Sequence, residues 1–433
     1  MPTFELPASY RQTWLYTAVD GGPSTVIVPP IALRFVGALD TGRLQDALTA
    51  LAQRHEVLRT WLRRTEQGTV VQVVHEPGAL KLARSELPVL DDDGALAGVA
   101  EDAAAPFVLD NAPLVRAQLY RLDARDHLLC LTLHHAITDA ASNALLTRDL
   151  LAFYRGDRLP ALPVQFADFA AAERTASFSV AERYWAGRLE GVRPAELPGS
   201  RRSDVYLPLR QVLPDLDPTR VAALRALART QASPVPAVLA AALVVALGQP
   251  TTGPTVVGVT VANRDRPQLR DVVGYVADQM PLVVDTAAAG DFAELVGQSG
   301  AALTEALDHP LPSGRLPWPG GPPHGPLFPI NVNYLAAQTV TAPTRLGELA
   351  VLPVDLPAPP PTPTPAWPGA PTLDLVAHDH TGRLTGHLLA NAAALGAAAV
   401  TRTAVRLAAV LDTAGSAPHT TLDTLYQRTE PPT

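Results

Sequence analysis

A pair of strand-like segments that runs directly into two histidines and a helix constrains the fold of this chain more than any other feature. The segments are Leu114–Leu122 and His127–Leu133, and the polar residues 123–126 between them predict the turn of a β-hairpin. The run His134–Asp139 follows, and apolar spacing from Ser142 to Tyr154 predicts a helix that ends at a glycine. Side chains at such a strand-to-helix junction can project into a cleft, so chemistry is expected there.

The rest of the chain has the periodicity of two α/β halves of similar size. Helical and strand-like segments occur on both sides of a polar stretch, residues 191–204, which we interpret as a linker. We therefore predict an N-terminal lobe of residues 1–190 and a C-terminal lobe of residues 205–433. Prolines crowd residues 353–371, which predicts a surface loop or an extended polyproline segment. Further helices are predicted at Asp40–Arg54, Pro218–Gln231, Pro236–Leu247, Asp291–Asp308 and Ala393–Leu411, and strands at Val70–His75, Thr255–Ala262, Leu327–Leu335 and Thr385–Leu389.

The composition excludes several classes of protein. The net charge is −8 and no long Lys/Arg block occurs, so a nucleic-acid partner is not expected. The single cysteine, Cys130, permits no internal disulfide and no thiolate metal cage, and its place in a strand-like run predicts a core residue. The N-terminus lacks the basic and apolar regions of a signal peptide, and the longest apolar run, Val235–Leu247, is too short to cross a bilayer. We expect a cytoplasmic protein without a membrane partner.

His134, His135 and Asp139 are the residues at the junction that can carry chemistry. An imidazole has an ordinary pKa of about 6.5, so it can take up and return a proton near neutral pH. An aspartate at the start of a helix can cap the helix or hold an arginine. A second interpretation is that the histidines only end the strand and Asp139 is only a cap, and the junction by itself leaves both interpretations open.

The junction and several other segments resemble the condensation domains of nonribosomal peptide synthetases, whose signature is His-His-x-x-x-Asp-Gly. Segments that match other family elements follow in order from Ser9 to about Leu395. The resemblance implies an α/β fold similar to that of chloramphenicol acetyltransferase, with two lobes that form a V around a central tunnel. The matching segments are Arg54–Trp61, Phe166–Ala170, Tyr184-Trp185, Val261–Arg264 with Pro267, Val273–Tyr275, and Pro326–Phe328 with Asn331, Asn333 and Tyr334.

The resemblance also assigns roles to the signature residues. His135 would lie in the tunnel and act on the attacking amine or hydroxyl, either as general base or as the hydrogen-bond partner that positions it. His134 would point into the protein and support the structure. Asp139 would pair with an arginine, for which Arg59 is the candidate, and would keep the loop rigid.

Three further residues receive roles in the same way. The backbone N–H of Ala140 would polarise the thioester carbonyl, and Ser142 and Asn333 would line the tunnel. Ala140 stands where the family has glycine, which costs energy only if the backbone requires a positive φ. Asp278 stands where an asparagine is usual, and two later family elements are altered. These departures bear on the substrates and on activity rather than on the class of reaction.

Other kinds of site are less well supported. His378, Asp379, His380 and His387 are residue types that bind metals, and His378 and His380 share one face of a predicted strand. We prefer a solvated strand and turn there and expect no metal. The sequence has no Gly-x-Ser-x-Gly elbow and no Walker-type loop, so neither a serine hydrolase nor nucleotide-driven activation is predicted. Residues 353–371 form either the latch that crosses between lobes in the family or a surface loop.

The sequence therefore predicts a discrete condensation enzyme, or an excised domain, that joins an acyl or aminoacyl thioester to an amine, or to an alcohol, in natural-product biosynthesis. The resemblance implies an acyl or peptidyl carrier protein as partner, and a small-molecule or carrier-bound acceptor. No tightly bound cofactor is expected, because the carrier brings its own phosphopantetheine. Two alternatives remain: an acyltransferase that uses soluble acyl-coenzyme A, and a non-catalytic module that recruits a partner.

Overall fold

A computed structural model describes most of the 433 residues of the chain. The described ranges are 3–26, 28–87, 92–111, 113–195, 199–201, 203, 205–248, 253–317, 328–335, 343–359, 364–365, 373–380 and 382–428. The helices, in chain order, are α1 (Tyr10–Val19), α2 (Thr41–Arg54), α3 (Asp92–Ala103), α4 (Ala140–Arg155), α5 (Phe166–Thr175), α6 (Ser179–Arg188), α7 (Pro218–Thr230), α8 (Val235–Ala246), α9 (Phe292–Asp308), α10 (Ala397–Ser416) and α11 (Leu422–Arg428).

The strands are mostly short and are spread along the whole chain. They are β1 (Thr3–Pro7), β2 (Pro23–Ser24), β3 (Ile31–Val36), β4 (Thr60–Arg64), β5 (Val70–His75), β6 (Leu82–Glu86), β7 (Phe107–Val108), β8 (Val115–Asp123), β9 (Asp126–Leu133), β10 (Arg193–Pro194), β11 (Val205–Tyr206), β12 (Pro208–Val212), β13 (Thr255–Val261), β14 (Asp278–Val284), β15 (Ile330–Leu335), β16 (Thr344–Leu346), β17 (Leu349–Pro353), β18 (Thr364–Pro365), β19 (Leu373–His380) and β20 (Arg383–Asn391).

The chain forms two compact units, and each is built from separate stretches of sequence. Unit 1 comprises residues 1–176, 262–277 and 338–360, and unit 2 comprises residues 177–261, 278–337 and 361–433. The predicted boundaries, 1–190 and 205–433 with a linker at 191–204, therefore differ from those of the compact units. The reason is visible at β10, which lies inside the supposed linker and pairs with β13 in a sheet of unit 2. A polar composition marked this segment as a connection, although Arg193 and Pro194 within it form a strand of the sheet.

Unit 1 is built around the predicted hairpin. β8 and β9 pair antiparallel within a sheet of strand order β16-β17-β3-β9-β8-β6. The side chains from His127 to Leu133 in β9 are all buried, including Cys130, which is a core residue as predicted. Leu44, Leu48 and Leu51 lie on the buried face of α2, which packs against α4. A second sheet has the order β1-β5-β4, and β2 pairs with β7.

Unit 2 is built around a sheet of strand order β10-β13-β15-β19-β20-β12, with β14 beside β13. One face of the sheet contributes apolar side chains such as Val332 and Leu375 to a core that also contains residues of α7, α8, α9 and α10. Every residue of α8 from Ala237 to Ala246 is buried, as expected for a helix that is apolar on all sides. Side chains of the opposite face are polar in the middle of the sheet: Asn331 donates to Thr260 Oγ1 at 3.3 Å and to Asp374 Oδ1 at 3.0 Å.

The structure confirms the hairpin and the predicted helices, with differences of a few residues at their ends. Asp40 caps α2 and Asp217 caps α7, each by accepting hydrogen bonds from backbone N–H groups of the first turn. The structure places Thr364 and Pro365, inside the proline-dense segment, in β18, while residues 360–363 and 366–371 of that segment lie outside the described residues. Among the described residues no single helix is long and apolar enough to cross a membrane, and one bent pair, α7 with α8 at 103°, passes that test of length and composition together.

Candidate active site

The end of the hairpin fixes the backbone of the two histidines. β9 ends at Leu133, and the next residues form a single 3-10 turn, His135–Ile137. The backbone N–H of His134 donates to the carbonyl of Leu114 at 3.0 Å, and that of His135 donates to the carbonyl of Val26 at 2.9 Å. The two histidines are therefore held from both sides by neighbouring chain segments of unit 1.

His134 points into the core, as the resemblance implied. Its Nδ1 accepts from the backbone N–H of Ala136 at 3.0 Å, so its proton resides on Nε2, which lies 2.9 Å from the hydroxyl of Ser24. The side chain is fully buried. Burial, with a smaller effect of His135, lowers the pKa of His134 to about 3. The imidazole is therefore neutral at any ordinary pH and serves to hold the turn.

His135 has the geometry of a hydrogen-bond acceptor directed away from the backbone. Its Nδ1 lies 2.8 Å from the carbonyl oxygen of Thr138, which can only accept, so Nδ1 carries the proton and Nε2 has a free lone pair. The side chain is half-buried. Burial lowers the pKa of His135 below its ordinary value. The Thr138 carbonyl and Asp139 oppose that shift, and the charge of Arg11 has a smaller effect in the same direction as burial. His135 is neutral at physiological pH.

Asp139 is the N-cap of α4 and the centre of an ion pair. Its Oδ1 accepts from the backbone N–H of Ser142 at 2.8 Å and from Arg264 Nη2 at 3.0 Å. Its Oδ2 accepts from Arg264 Nη1 at 2.8 Å and from the backbone N–H groups of Val276 and Ala277 at 3.1 Å and 3.0 Å. Burial alone would raise the pKa of Asp139, but the charge and hydrogen bonds of Arg264 hold it below its ordinary value. The carboxylate ties together the start of α4 and the segment 262–277.

The assignment of Arg59 as the partner of Asp139 was wrong. Arg59 ends the 3-10 turn before β4, where its guanidinium donates to the carbonyl of His75 and lies 3.4 Å from Glu56. Arg264, in the run Val261–Arg264 that also resembles a family element, is the residue that reaches Asp139. Both arginines lie in runs that resemble family elements, but nothing in the local sequence indicates which of the two faces the carboxylate of Asp139.

Ser142 does not face an open space, contrary to the sequence-based expectation. It is fully buried, and its hydroxyl donates to the carbonyl of Gly274 at 3.0 Å while it accepts from the N–H of Gly274 at 3.0 Å and from Arg264 Nη2 at 2.9 Å. Gly274 must be glycine, because its φ is +157° and an added Cβ would lie 2.2 Å from the ring of Phe166. The hydroxyl of Ser142 is thus an architectural group that locks the strand-to-helix junction to residues 272–277.

Ala140 replaces the family's glycine without strain. It is the first residue of α4, and it is not among the described residues with a positive φ, which other than glycine are Asp20, Ala232 and Asn263. Its backbone N–H belongs to the first turn of a helix, where no carbonyl four residues earlier is in place to accept it. Asn333 lies half-buried on β15 of unit 2, and its assignment to the tunnel remains a prediction.

Tyr275 lies against His135, and Arg11 lies against Tyr275, two relationships that sequence reasoning missed. The ring of Tyr275 stacks on the imidazole of His135, with centroids 4.0 Å apart and an interplanar angle of 30°. The guanidinium carbon of Arg11, in α1, lies 5.2 Å from the centroid of the Tyr275 ring. Tyr275 belongs to the run Val273–Tyr275, which resembles a family element, but no local pattern indicates that it reaches His135 across 140 residues of chain.

Comparison with known proteins decides the family of this site. A family model described as Condensation domain matches residues 4–429 of the chain. The chain belongs to the condensation-domain family. This condensation domain is 30% identical over 360 residues to surfactin synthase subunit 2 of Bacillus subtilis, covering 80% of the chain and 10% of that protein. It is 32% identical over 335 residues to the phosphinothricin tripeptide synthetase PhsC of Streptomyces viridochromogenes, covering 72% of the chain and 30% of the relative. The chain therefore spans only a small part of these synthetases.

Solved structures share the fold of this condensation domain. The SgcC5 protein of Streptomyces globisporus superimposes with a TM-score of 0.78 at 24% identity, covering 96% of this chain and all of the other. The first condensation domain of the calcium-dependent antibiotic synthetase gives 0.75 at 22% identity, with 98% of each chain covered. The X-domain from teicoplanin biosynthesis gives 0.79 at 24% identity, with 96% of each covered. The mixed α/β fold expected from the sequence is thereby confirmed.

The other histidines of the condensation domain that attracted attention lie on one face of the sheet in unit 2. The ring of His378 stacks near those of His380 and His387, with centroids 6.3 Å and 5.9 Å away. Asp379 accepts hydrogen bonds from Tyr334 and Arg225, so its carboxylate is engaged elsewhere. Within the described ranges no group of three or more His, Cys, Asp or Glu is arranged to hold a metal ion.

Proposed function

We propose that this condensation domain transfers an acyl group from a thioester on the phosphopantetheine of a carrier protein to an amine, and so forms an amide. The observation that carries the proposal is the free Nε2 of His135, which is fixed as an acceptor because Nδ1 donates to Thr138. Membership of the condensation-domain family supports the class of reaction. The relatives named as peptide synthetases support a thioester donor, since such enzymes carry their intermediates on carrier domains.

The proposed reaction consists of addition followed by elimination. The amine nitrogen attacks the thioester carbon while its N–H donates to Nε2 of His135, and the carbonyl electrons move to the oxygen. The N–H of Ala140, at the positive end of α4, is our candidate donor to that oxyanion. Collapse of the tetrahedral intermediate restores the carbonyl and expels the thiolate. The proton that left the amine passes through His135 to the sulfur, so the products are an amide and the free carrier thiol.

His135 need not be a strong base in this scheme. A neutral imidazole that orients the amine and accepts a hydrogen bond lowers the entropic cost of bringing two reactants together. The Asp139–Arg264 pair contributes indirectly, because it fixes the start of α4 and therefore the positions of His135 and the Ala140 amide. Asp139 is a positioning residue in this proposal and does not take the proton, since both of its oxygens already accept hydrogen bonds.

The proposal is tested by product mass. The protein is mixed with acyl-loaded carrier proteins and a panel of amines and alcohols, and His135→Ala is compared with His419→Ala, whose imidazole is largely exposed. We expect an amide product that disappears in His135→Ala and persists in His419→Ala. An ester product would mean that the acceptor is an alcohol rather than an amine, and the reaction would still be acyl transfer from the carrier thioester.

Two other outcomes would replace the proposal. Equal product from acyl-coenzyme A and acyl-carrier protein would identify an acyltransferase that uses the soluble thioester. Specific carrier binding without any product would identify a recruitment module, a function that the shared fold with the X-domain from teicoplanin biosynthesis makes worth measuring. Binding of the carrier is followed in the same samples by calorimetry.

A further inference from the structure

The imidazole of His135 is held by one hydrogen bond and is covered on one face by an aromatic ring of the same unit. The hydrogen bond joins Nδ1 to the carbonyl of Thr138 at 2.8 Å, and it fixes the position of only one ring nitrogen. A ring held at one atom can still tilt, and the tilt would move Nε2. The ring of Tyr275 lies over the imidazole, with centroids 4.0 Å apart and an interplanar angle of 30°, and therefore limits that tilt.

Tyr275 is buried, and the residue before it is firmly held. Gly274 donates its N–H to the hydroxyl of Ser142 at 3.0 Å, and its carbonyl accepts from the same hydroxyl at 3.0 Å. Ser142 is fully buried, so water does not compete for these two hydrogen bonds. The ring of Phe166 fills the place that a Cβ of Gly274 would take, which leaves the backbone no room to shift in that direction.

The residues after Tyr275 are held by the signature aspartate. The N–H groups of Val276 and Ala277 donate to Oδ2 of Asp139 at 3.1 Å and 3.0 Å. The carboxylate is only 2% exposed. Asp139 is the N-cap of α4, and Ser142 lies in the first turn of that helix. The backbone on both sides of Tyr275 is therefore fastened to the start of α4.

The start of α4 also carries a second group that the proposed reaction uses. Ala140, whose backbone N–H is the candidate donor to the oxyanion, is the first residue of the helix. One turn of helix therefore offers its own N–H to the carbonyl oxygen and, through Tyr275, supports the imidazole of His135. The positions of the two groups depend on the same piece of backbone.

We propose that Tyr275 positions the imidazole of His135 for catalysis, and that Asp139 and Ser142 act on His135 through Tyr275. The inference rests on the proposed function, because it concerns the residue that carries that reaction. Tyr275 is a positioning residue in it: its ring closes one face of the imidazole, so the acceptor meets Nε2 at the edge of the ring. Nε2 must lie within about 2.6–3.2 Å of the attacking atom, so a small tilt is enough to lose that contact.

The first test observes the ring of His135 directly and needs no turnover. Protein with isotope-labelled histidine is studied by NMR at mildly alkaline pH, and His135→Gln assigns the signals. Tyr275→Leu keeps an apolar side chain without a flat ring, and Tyr275→Phe keeps the ring. We expect the native protein and Tyr275→Phe to show a single tautomer, protonated at Nδ1. In Tyr275→Leu we expect both tautomers, because the ring leaves the Thr138 carbonyl for part of the time.

Tyr184→Leu is the matched control for the loss of a stacked ring. Tyr184 stacks on His309 in unit 2, with centroids 3.7 Å apart and an interplanar angle of 9°, so the variant removes the same kind of contact from a different histidine. The His135 signals should be unchanged in Tyr184→Leu. Thermal melting establishes that each variant is folded.

Ser142→Ala tests whether the start of α4 acts through Tyr275. It removes the hydroxyl that holds Gly274 and leaves both rings intact. We expect it to change the His135 signals in the same direction as Tyr275→Leu but by less, since Asp139 still holds the residues after Tyr275. The double variant should resemble Tyr275→Leu, because the ring through which the hydroxyl acts is already gone. Ser142→Ala also serves if Tyr275→Leu fails to fold.

The second test separates positioning from binding by kinetics. With an acyl-loaded carrier protein and an amine, we expect Tyr275→Leu to lower kcat about tenfold or more, since a small misplacement of a catalytic group is costly. KM for both substrates should change by less than about twofold, because no group that binds them is removed. Tyr275→Phe should stay close to the native rate, since it keeps the ring that covers the imidazole.

Each result either supports the inference or overturns it. A native-like His135 spectrum or an unchanged kcat in Tyr275→Leu overturns it even if amide formation is established. A Tyr275→Phe variant as impaired as Tyr275→Leu, or additive effects of Ser142→Ala and Tyr275→Leu, also overturns it. Mixed tautomers in Tyr275→Leu and Ser142→Ala support it even if no carrier-dependent product is found, in which case the proposed function fails by itself.

Discussion

Arg264 contacts both carboxylate oxygens of Asp139, with Nη1 to Oδ2 at 2.8 Å and Nη2 to Oδ1 at 3.0 Å. The two residues are 125 positions apart in sequence. The guanidinium also donates to the hydroxyl of Ser142 and to the carbonyls of Ala262 and Val272. Asn263, directly before it, has the left-handed φ of +54° that asparagine tolerates better than most residues. A planar side chain with two terminal nitrogens that each donate to several acceptors suits this arrangement.

Breaking that pair from one side should be costly. Asp139→Asn leaves the buried guanidinium of Arg264 without its counter-charge, so we expect a loss of about 3–5 kcal/mol in the free energy of unfolding. Chemical denaturation measures the loss, and the double variant Asp139→Asn with Arg264→Met should recover part of it. The control is Arg121→Met, which removes an exposed ion pair with Glu86 and should cost less than about 1 kcal/mol. Equal stability of Asp139→Asn and native protein, together with loss of product formation, would show that the carboxylate has a chemical role instead.

The pH dependence of the reaction should reflect the lowered pKa of His135. Because burial outweighs the opposing effects of the Thr138 carbonyl and Asp139, the pKa of His135 is lowered, and the neutral form needed for catalysis persists below the ordinary histidine value of 6.5. With an aromatic amine as acceptor, we expect kcat/KM to be level from pH 8 to pH 6.5 and to fall only at lower pH. Initial rates across that range, taken with native protein, make the measurement. An acidic limb centred at pH 7 or above contradicts the assigned environment.

Stability should fall in acid partly because of His134. Its pKa is about 3 in the folded chain against 6.5 when exposed, so above pH 7 the residue is neutral in both states and contributes no pH dependence. As the pH falls below 6.5 the unfolded chain takes up a proton that the folded chain refuses, which favours unfolding by up to about 1.4 kcal/mol per pH unit. Between pH 7 and pH 5, His134→Gln should therefore lose less stability than native protein does.

The control for that experiment is His419→Gln, because His419 is an exposed histidine. It should lose stability with falling pH as steeply as the native protein. Other buried histidines such as His55, whose pKa burial also lowers, keep some acid sensitivity in the His134→Gln variant. Identical slopes for His134→Gln and native protein would mean that His134 takes up its proton as readily in the folded chain as in the unfolded chain.

Gly274→Ala should be among the most damaging small substitutions in unit 1. The added methyl would lie 2.2 Å from Cδ2 of Phe166, a fully buried ring at the start of α5, and the positive φ penalises any side chain. We expect a loss of more than about 2 kcal/mol in unfolding free energy, as overpacking and backbone strain add. Gly98→Ala is the matched control: nothing lies within 4 Å of its Cβ position, and alanine is the better helix former in α3. The idea fails if both variants melt alike.

Local elements were predictable from the sequence because their signals are local. The hairpin β8–β9 and the helices α2 and α4 follow from periodicity over neighbouring residues and from caps such as Asp40 and Gly156. His134 and His135 could be singled out because they follow the hairpin directly. The two roles of Asp139, as cap and as partner of an arginine, were also both foreseen, and the structure shows that one carboxylate performs them together.

Contacts between distant segments were not predictable in the same way. Arg59 was predicted as the partner of Asp139, whereas Arg264 is the partner. Charge and spacing indicate that an arginine is needed, but they do not indicate which arginine the fold brings to the carboxylate. Ser142 looked like a residue that faces a substrate, whereas its hydroxyl satisfies both backbone groups of Gly274. The roles of Tyr275 and Arg11 could be recognised only from the structure, in which the ring of Tyr275 lies against His135 and the guanidinium of Arg11 lies against Tyr275.

Residues 262–277 belong to unit 1 although residues 177–261, directly before them, belong to unit 2. This arrangement affects how the gene can recombine with that of a relative. A gene recombined anywhere between the codons for Asp139 and Arg264 would receive its carboxylate from one parent and its guanidinium from the other. Exchange of the first 190 residues with a relative would likewise separate His135 from Tyr275. The natural unit of exchange in this chain is therefore the whole domain, and chimaeras joined near residue 200 should work only when both parents match at these two contacts.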